Sequence, residues 1–317
     1  MKILIIGGSY FLGLAFAEAA YHAGHSLYVL NRGNRPLGVS TIPEYHADRR
    51  DATALEAFPA GAEGKPLHFD AVVDFCAYQT GDIRLVAEHL NATFDQYIFI
   101  STSDVYRKGS GQVLREDAEL ESRDFGGDAG AYILGKVALE RELAELTSAS
   151  DCKFHSTIFR PAFLYGQGNY APREVLYFQW IHQSRQVLHP RDSEGFFQMV
   201  SAEDAARAIL LSCGNETCYE KTYNLAAPTL YTYESYEELL RQATGIDFGL
   251  APVTVEQVLQ DGLPLPFPLS KAESEHYDGS AVTALGLTYS DPVPEFARLW
   301  ELYQKQVAAR SGNDGAN

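Results

Sequence analysis

The residues best suited to chemistry in this chain are a phenol and an amine four positions apart, in Tyr132-Ile133-Leu134-Gly135-Lys136. On a helix, positions i and i+4 share one face. A free tyrosine ionises near ~10 and is a poor base at neutral pH. A neighbouring ammonium favours the phenolate, and lowering the phenol by ~3 units asks for about 4 kcal/mol of differential stabilisation, within reach in a desolvated pocket. The pair alone says little, because a chain with 19 tyrosines yields roughly half a Y-x-x-x-K match by chance. Its context says more. Ser101-Thr102-Ser103-Asp104-Val105-Tyr106 follows the apolar run Tyr97–Ile100. The hydroxyls of Thr102 and Ser103 are thereby placed at a strand's C-terminal end, where open α/β sheets bind ligands. Thr102, with Ser103, is suited to hold a substrate oxygen while Tyr132 exchanges a proton with it.

A second cluster, Gly7-Gly8-Ser9-Tyr10-Phe11-Leu12-Gly13, joins the first apolar run to a helical stretch. Glycines there let the backbone turn tightly and approach a pyrophosphate seated on the helix N-terminus, and the third lets helix and strand pack closely. This predicts a dinucleotide site. The middle position of G-x-x-G-x-x-G is Tyr10, which either lies by the phosphates or serves as a packing residue. After the second apolar run comes Asn31-Arg32-Gly33-Asn34-Arg35, with a neutral residue where an acidic one would bind the ribose 2′-hydroxyl. Arg32 and Arg35 suit a 2′-phosphate, so NADP(H) is favoured slightly over NAD(H). Asp48 is placed to contact the adenine. The chemistry then becomes hydride transfer at the nicotinamide coupled to proton transfer by Tyr132, with Lys136 lowering the phenol and binding the ribose.

The elements that must position these groups read as βαβ units. Strand-like runs occur at Ile3–Ile6, Leu27–Leu30, Ala71–Phe75, Tyr97–Ser101 and Ser156–Phe159. Helical stretches lie between them at Leu12–Ala23, Ala52–Phe58, Asp82–Leu90 and Tyr132–Leu146. The fold class is α/β, a doubly wound parallel sheet of the Rossmann kind with a smaller C-terminal substrate-binding lobe. Residues 1–168 with about 196–227 form the dinucleotide domain, in which Phe197–Leu211 is a further helix and Thr222–Leu225 a further strand. Residues 169–195 with 228–310 form the substrate lobe, and 311–317 a flexible tail.

Composition narrows the function classes. The formal charge is −17, from 42 acidic and 25 basic residues. Such a surface repels nucleic-acid backbones and anionic membranes, while a local site still holds a dinucleotide. Cys76, Cys152, Cys213 and Cys218 form no C-x-x-C pair, and the nine histidines show no metal-binding spacing. The start, Met1-Lys2-Ile3-Leu4, is too short for a signal peptide, and no run reaches ~18 apolar residues. The cytosol is the expected compartment.

Taken with Arg160-Pro161-Ala162-Phe163-Leu164-Tyr165-Gly166 and Val200-Ser201-Ala202-Glu203-Asp204-Ala205-Ala206, these motifs resemble the extended short-chain dehydrogenase/reductase family. The match is to the NAD-dependent epimerase/dehydratase type, in a subgroup opening with a G-G-x-x-F-x-G turn. The resemblance implies a homodimer acting on a small molecule. It also implies cofactor contacts from Cys76, Ala77, Ser101 and Pro161 and substrate contacts from Tyr78, Asp104 and Tyr106. Dehydratases of the family carry Thr-Asp-Glu where this chain has Thr102-Ser103-Asp104. Many nucleotide-sugar epimerases carry a diphosphate arginine where it has Phe196-Phe197-Gln198, with Arg173 or Arg191 as substitutes. The leading expectation is an epimerase or dehydratase of a nucleotide-sugar, and the alternative a NADPH-dependent reductase of a small carbonyl compound. A non-catalytic RNA-associated relative is a third.

Overall fold

The computed structural model describes residues 1–109, 111–171 and 173–314, with side chains to residue 310. Seven parallel strands form the central sheet, in the order Lys221–Leu225, His155–Pro161, Gln96–Ile100, Ala71–Asp74, Lys2–Ile6, Ser26–Asn31, Glu44–His46. Inner strands such as Lys-Ile-Leu-Ile-Ile and Gln-Tyr-Ile-Phe-Ile are apolar on both faces because helices cover both faces. On one side Phe11–His22 and Ala202–Ser212 contribute Phe16, Ala20, Ala205 and Ile209 to the core. On the other, Asp82–His89 and Gly127–Ser148 contribute Ile83, Val86, Leu139 and Leu143.

The strand order reverses between Lys2–Ile6 and Ala71–Asp74. Crossovers to the two sides separate there and open a crevice at the strands' carboxyl ends. Every loop that the sequence marked for chemistry leaves the sheet at that edge.

The C-terminal lobe is built on aromatic packing. Tyr177, Phe178, Phe197, Tyr236, Phe267, Phe296 and Trp300 form its core, with Phe197 and Phe267 stacked at 3.7 Å and 5°. Two short parallel pairs, Phe163–Tyr165 with Met199–Ser201 and Gln186–Pro190 with Gly249–Val253, frame it. The expected helix over Phe197–Leu211 is corrected here, since Met199–Ser201 is extended and the helix begins at Ala202. The Ser201 hydroxyl accepts the Asp204 N–H at 2.9 Å and caps it. At the chain's end the Pro292–Asp314 helix runs four residues into the segment expected as a tail, and 315–317 lie outside the described residues.

Candidate active site

The glycine turn has the shape its residue types require. Gly7 and Gly8 sit at φ +94° and +80°, and a Cβ on Gly8 would fall 2.5 Å from Ile5 Cγ2. A Cβ on Gly13 would fall 2.7 Å from the Gly8 Cα, so the third glycine is where helix meets turn. Tyr10 precedes the helix without a side-chain cap, leaving first-turn N–H groups facing the crevice. Two buried polar atoms of the crevice wall, Ser101 Oγ and Arg49 Nε, have no protein partner among the described residues. Open backbone donors, a cradle that side chains would fill and unpaired polar atoms together fit a dinucleotide.

At the sheet's edge stands the tyrosine expected to do the chemistry. Tyr132 is 37% exposed, its ring open to the cavity and its hydroxyl near Thr102, a neighbour that works to lower the phenol. Burial pushes the phenol well above its ordinary value, and the nearby Tyr170, Tyr78 and Asp104 add to that push. Lys136, one helical turn on, is 2% exposed and donates to the carbonyls of Ala77 and Ile100, both at 2.8 Å. Burial pushes this ammonium down to about 8. The helix comes this close because of Gly135, where a Cβ would sit 2.7 Å from the Tyr78 carbonyl. Thr102 Oγ1 donates to Asp104 Oδ2 at 3.4 Å and accepts the Asp104 N–H at 3.2 Å. Lys108 Nζ pairs with Asp104 Oδ1 at 2.7 Å. Ser103 lies near the Tyr277 hydroxyl in the same cavity wall.

A buried ion pair lies beneath the loops where the adenosine end is expected. Arg49 holds Asp74 Oδ1 at 2.6 Å and the Asp82 carbonyl at 2.7 Å, and the Tyr97 hydroxyl donates to the other Asp74 oxygen. Asn31 Nδ2 donates to Ser9 Oγ at 3.1 Å and Glu44 Oε2 at 2.8 Å, and Asn31 Oδ1 accepts the Gly33 N–H. Asn31 therefore ties the turn to the second and third strands. Arg35 stacks on Tyr10, 4.3 Å from the ring centre, and Arg32 stands beside it at the mouth.

One cavity of about 990 Å³ gathers these groups. It is lined by Gly7 to Gly13, Asn31, Arg32, Arg35, Asp48, Cys76, Ser101, Pro161, Thr102, Ser103, Tyr132, Lys136, Tyr78, Asp104 and Arg173. Three expected residues lie elsewhere. Ala77 is fully buried and contributes only its carbonyl, to Lys136. Tyr106 is also fully buried, with its hydroxyl on Asn224 Oδ1. Arg191 is solvent-exposed outside the cavity. Arg173 faces the cavity, 4.7 Å over the Phe163 ring, with no ion pair among the described residues. Burial lowers its guanidinium from the ordinary value. Cys76, its thiol pushed up to about 11 by burial, packs against Gly7.

Sequence reasoning missed Lys108, Arg49, Tyr170, Gln198, Glu275 and Tyr277, all in the cavity wall. Only Lys108 carried a local signal, four residues after Asp104. Linear spacing also hid a grouping at the opposite edge of the sheet, where the ligand atoms of His68, Asp70 and Asp95 lie within 4.8 Å of one another.

The NAD dependent epimerase/dehydratase family matches residues 3–226, the whole sheet and most of the cavity wall. The chain belongs to that family. Solved structures of the same fold include UDP-glucose 4-epimerase from Stenotrophomonas maltophila with bound NAD and formylated UDP-arabinopyranose. That structure has 16% identity and a TM-score of 0.76, covering 98% of this chain and 99% of that one. The Thermus thermophilus UDP-glucose 4-epimerase complex with NAD has 17% identity and a TM-score of 0.70, covering 96% and 99%. A curated relative, the chloroplast stem-loop binding protein of 41 kDa b from Arabidopsis thaliana, is 25% identical over 258 residues, 77% of this chain. The chain spans 63% of that relative's length. No helix among the described residues is long and apolar enough to cross a membrane.

Proposed function

We propose that this enzyme is an epimerase/dehydratase-type catalyst acting on a nucleotide-sugar, with Tyr132, Lys136 and Thr102 as its reacting set. The observation that supports this most directly is that Tyr132, Thr102 and Lys136, its ammonium 6.0 Å from the Tyr132 ring, line the same cavity as the Gly7–Gly13 turn. A nicotinamide dinucleotide bound on that turn would supply the hydride acceptor and donor. The chain's own residues do the rest. Thr102 holds the substrate oxygen, and Tyr132 exchanges a proton with it. Lys136 retains one N–H for a ribose hydroxyl after its two carbonyl bonds. Arg173, cationic and without a protein counter-ion among the described residues, is suited to the substrate diphosphate. The reading includes a homodimer working in the cytosol.

The test is to extract freshly purified protein for dinucleotide and offer UDP-glucose. An epimerase carries its dinucleotide and converts the sugar without added cofactor. Absence of both bound dinucleotide and conversion of any nucleotide-sugar would exclude this reading.

One observation favours a second reading, a NADPH-consuming reductase of a small carbonyl compound. Arg32 and Arg35 line the adenosine end without ion pairs among the described residues, as a 2′-phosphate site requires. The same arginines support a slight preference for NADP(H) over NAD(H). Arg32→Ala should then weaken NADPH binding about tenfold and NADH little, and equal effects would sink the preference.

A further inference from the structure

Lys136 is a buried cation held by two carbonyls, and one of them, that of Ala77, lies in the irregular segment between the strand Ala71–Asp74 and the helix Asp82–His89. That segment stands between the two parts of the site. Cys76 packs against Gly7 on one side, and on the other the Tyr78 carbonyl is where a Cβ on Gly135 would come within 2.7 Å. Irregular backbone keeps one shape when its polar groups are fixed, and here two carboxylates fix them. Asp74 Oδ1 accepts the Cys76 N–H at 3.0 Å, and Asp82 Oδ2 accepts the N–H groups of Tyr78 and Gln79 at 2.9 and 3.0 Å. Both carboxylates are buried, and a buried carboxylate needs a paired cation. Arg49, 7% exposed, donates from Nη1 to Asp74 Oδ1 at 2.6 Å and from Nη2 to the Asp82 carbonyl at 2.7 Å. Arg50 Nε donates to Asp82 Oδ1 at 2.9 Å. One guanidinium fork thus joins both ends of the segment.

We propose that Arg49 is a positioning residue of the reaction site: by joining Asp74 to Asp82 it fixes the segment whose Ala77 carbonyl holds the Lys136 ammonium. The inference rests on Lys136 serving Tyr132, as proposed above. Arg49 follows Asp48, the residue expected at the adenine, so the loop that would meet one end of a dinucleotide also sets the lysine at the other. The charged and titratable groups around Lys136 are Asp74, Cys76 and Tyr78 from the segment and its strand, and Arg49 from the loop after Glu44–His46. Tyr132 and Glu140 come from its own helix. Burial is the chief cause that holds this ammonium below its ordinary value. A loosened segment that admits water should therefore raise it.

Arg49→Lys keeps a cation beside Asp74 but has no planar fork to span both ends. The double variant Arg49→Met with Asp74→Asn removes both charges together, and decides the matter if Arg49→Lys does not fold. Two readouts are taken on the full-length protein as purified. Amide exchange by mass spectrometry compares residues 75–81 with the strand Gln96–Ile100. Carbon NMR of lysine-labelled protein follows the titration of Lys136, whose signal is the one missing from Lys136→Met. In either Arg49 variant, exchange in residues 75–81 should quicken about tenfold against the strand, and the Lys136 midpoint should rise by about one pH unit. Ile83→Val, a fully buried change in the next helix that touches neither carboxylate, should leave the midpoint in place. With NAD⁺ and UDP-glucose, Arg49→Lys should lower kcat about tenfold with KM within about twofold. An unmoved Lys136 midpoint in the Arg49 variants would overturn the proposal, whether or not exchange quickens, and so would an equal shift in Ile83→Val. If Tyr132→Phe keeps full turnover, the catalytic reading fails instead, while the Lys136 titration still decides whether Arg49 positions the lysine.

Discussion

The ammonium of Lys136 lies 6.0 Å from the centre of the Tyr132 ring, and two of its protons are held by the Ala77 and Ile100 carbonyls. One carbonyl belongs to the loop leaving Ala71–Asp74 and the other to the last residue of the adjacent strand Gln96–Ile100. The lysine thus anchors the Gly127–Ser148 helix to the crevice floor. Its third proton is left for a partner other than these two carbonyls.

A variant that removes only the phenolic oxygen should separate binding from chemistry. Tyr132→Phe keeps the ring against Tyr78, at 6.4 Å between centres, so the cavity wall stays intact. Turnover should fall by about 10²–10⁴-fold, the range for losing a positioned proton donor. Affinity for dinucleotide, by calorimetry, should change by less than about threefold. Undiminished turnover would remove Tyr132 from the mechanism.

Lys136 also leaves a mark on stability. Folding lowers its ammonium to about 8 from 10.5. Below pH 8 folded and unfolded chains both hold the proton, and the cost of burying the charge is fully present. Between about 8 and 10.5 the folded chain sheds the proton while the unfolded chain keeps it, so the unfolded state binds more protons and stability rises with pH. Lys136→Met lacks this titration. Denaturant melts of the two proteins at pH 7.5 and 9.5 should show wild type gaining about 1–2 kcal/mol on the variant. Tyrosines pushed above their usual range contribute the opposite trend in both proteins, so they cancel in the difference between wild type and variant. A constant difference between the two proteins would mean Lys136 is not held as a buried cation.

The fold was legible because local signals coincided with global constraints. The apolar strands are buried on both faces, so they appear as continuous runs, and the glycine turn needs φ values that few other residues adopt. The Tyr132–Lys136 pair was visible because one helix carries both. The remaining wall was hidden for the opposite reason. Tyr277, Glu275 and Gln198 reach the cavity from segments far apart in sequence, and Gln198 is placed by bonds to Ala227 and Tyr277. Tyr106 follows the expected strand end but turns into the protein, because Asn224 on the neighbouring edge strand accepts its hydroxyl. Side-chain direction there depends on a partner 118 positions away.

The glycine turn is open to a test that leaves the chemistry untouched. Gly13→Ala places a methyl 2.7 Å from the Gly8 Cα, with backbone rather than a flexible side chain in its way. The helix must shift away from the turn, costing about 1–3 kcal/mol. Dinucleotide affinity should drop at least tenfold, because the first-turn N–H groups move with the helix. Gly24→Ala is the control: unlike Gly13 it has a positive φ, but a Cβ there meets nothing within 4 Å. It should lower the melting temperature without altering dinucleotide affinity. Equal losses of affinity in both would mean that the close helix–turn contact does not shape the site.

Arg173 decides between a nucleotide-sugar and a small neutral carbonyl compound. Its guanidinium is stacked on Phe163 and loses hydration by burial, yet no carboxylate among the described residues pairs with it, so an anion entering the cavity gains a charge-assisted contact. Neighbouring Glu174 supports its charge but forms no ion pair with it, its carboxylate being engaged by the Gly166 N–H and the Asn169 amide. Arg173→Met keeps the stem packed on Phe163 and removes the charge. UDP-glucose affinity, measured by calorimetry with dinucleotide present, should fall by about 10–100-fold, and dinucleotide affinity should stay the same. Arg191→Met, altering an exposed residue outside the cavity, should change neither. If Arg173→Met binds UDP-glucose as well as wild type does, the diphosphate is held elsewhere. If UDP-glucose and other nucleotide-sugars bind neither protein, the arginine serves a smaller anion, and the nucleotide-sugar reading gives way to the reductase.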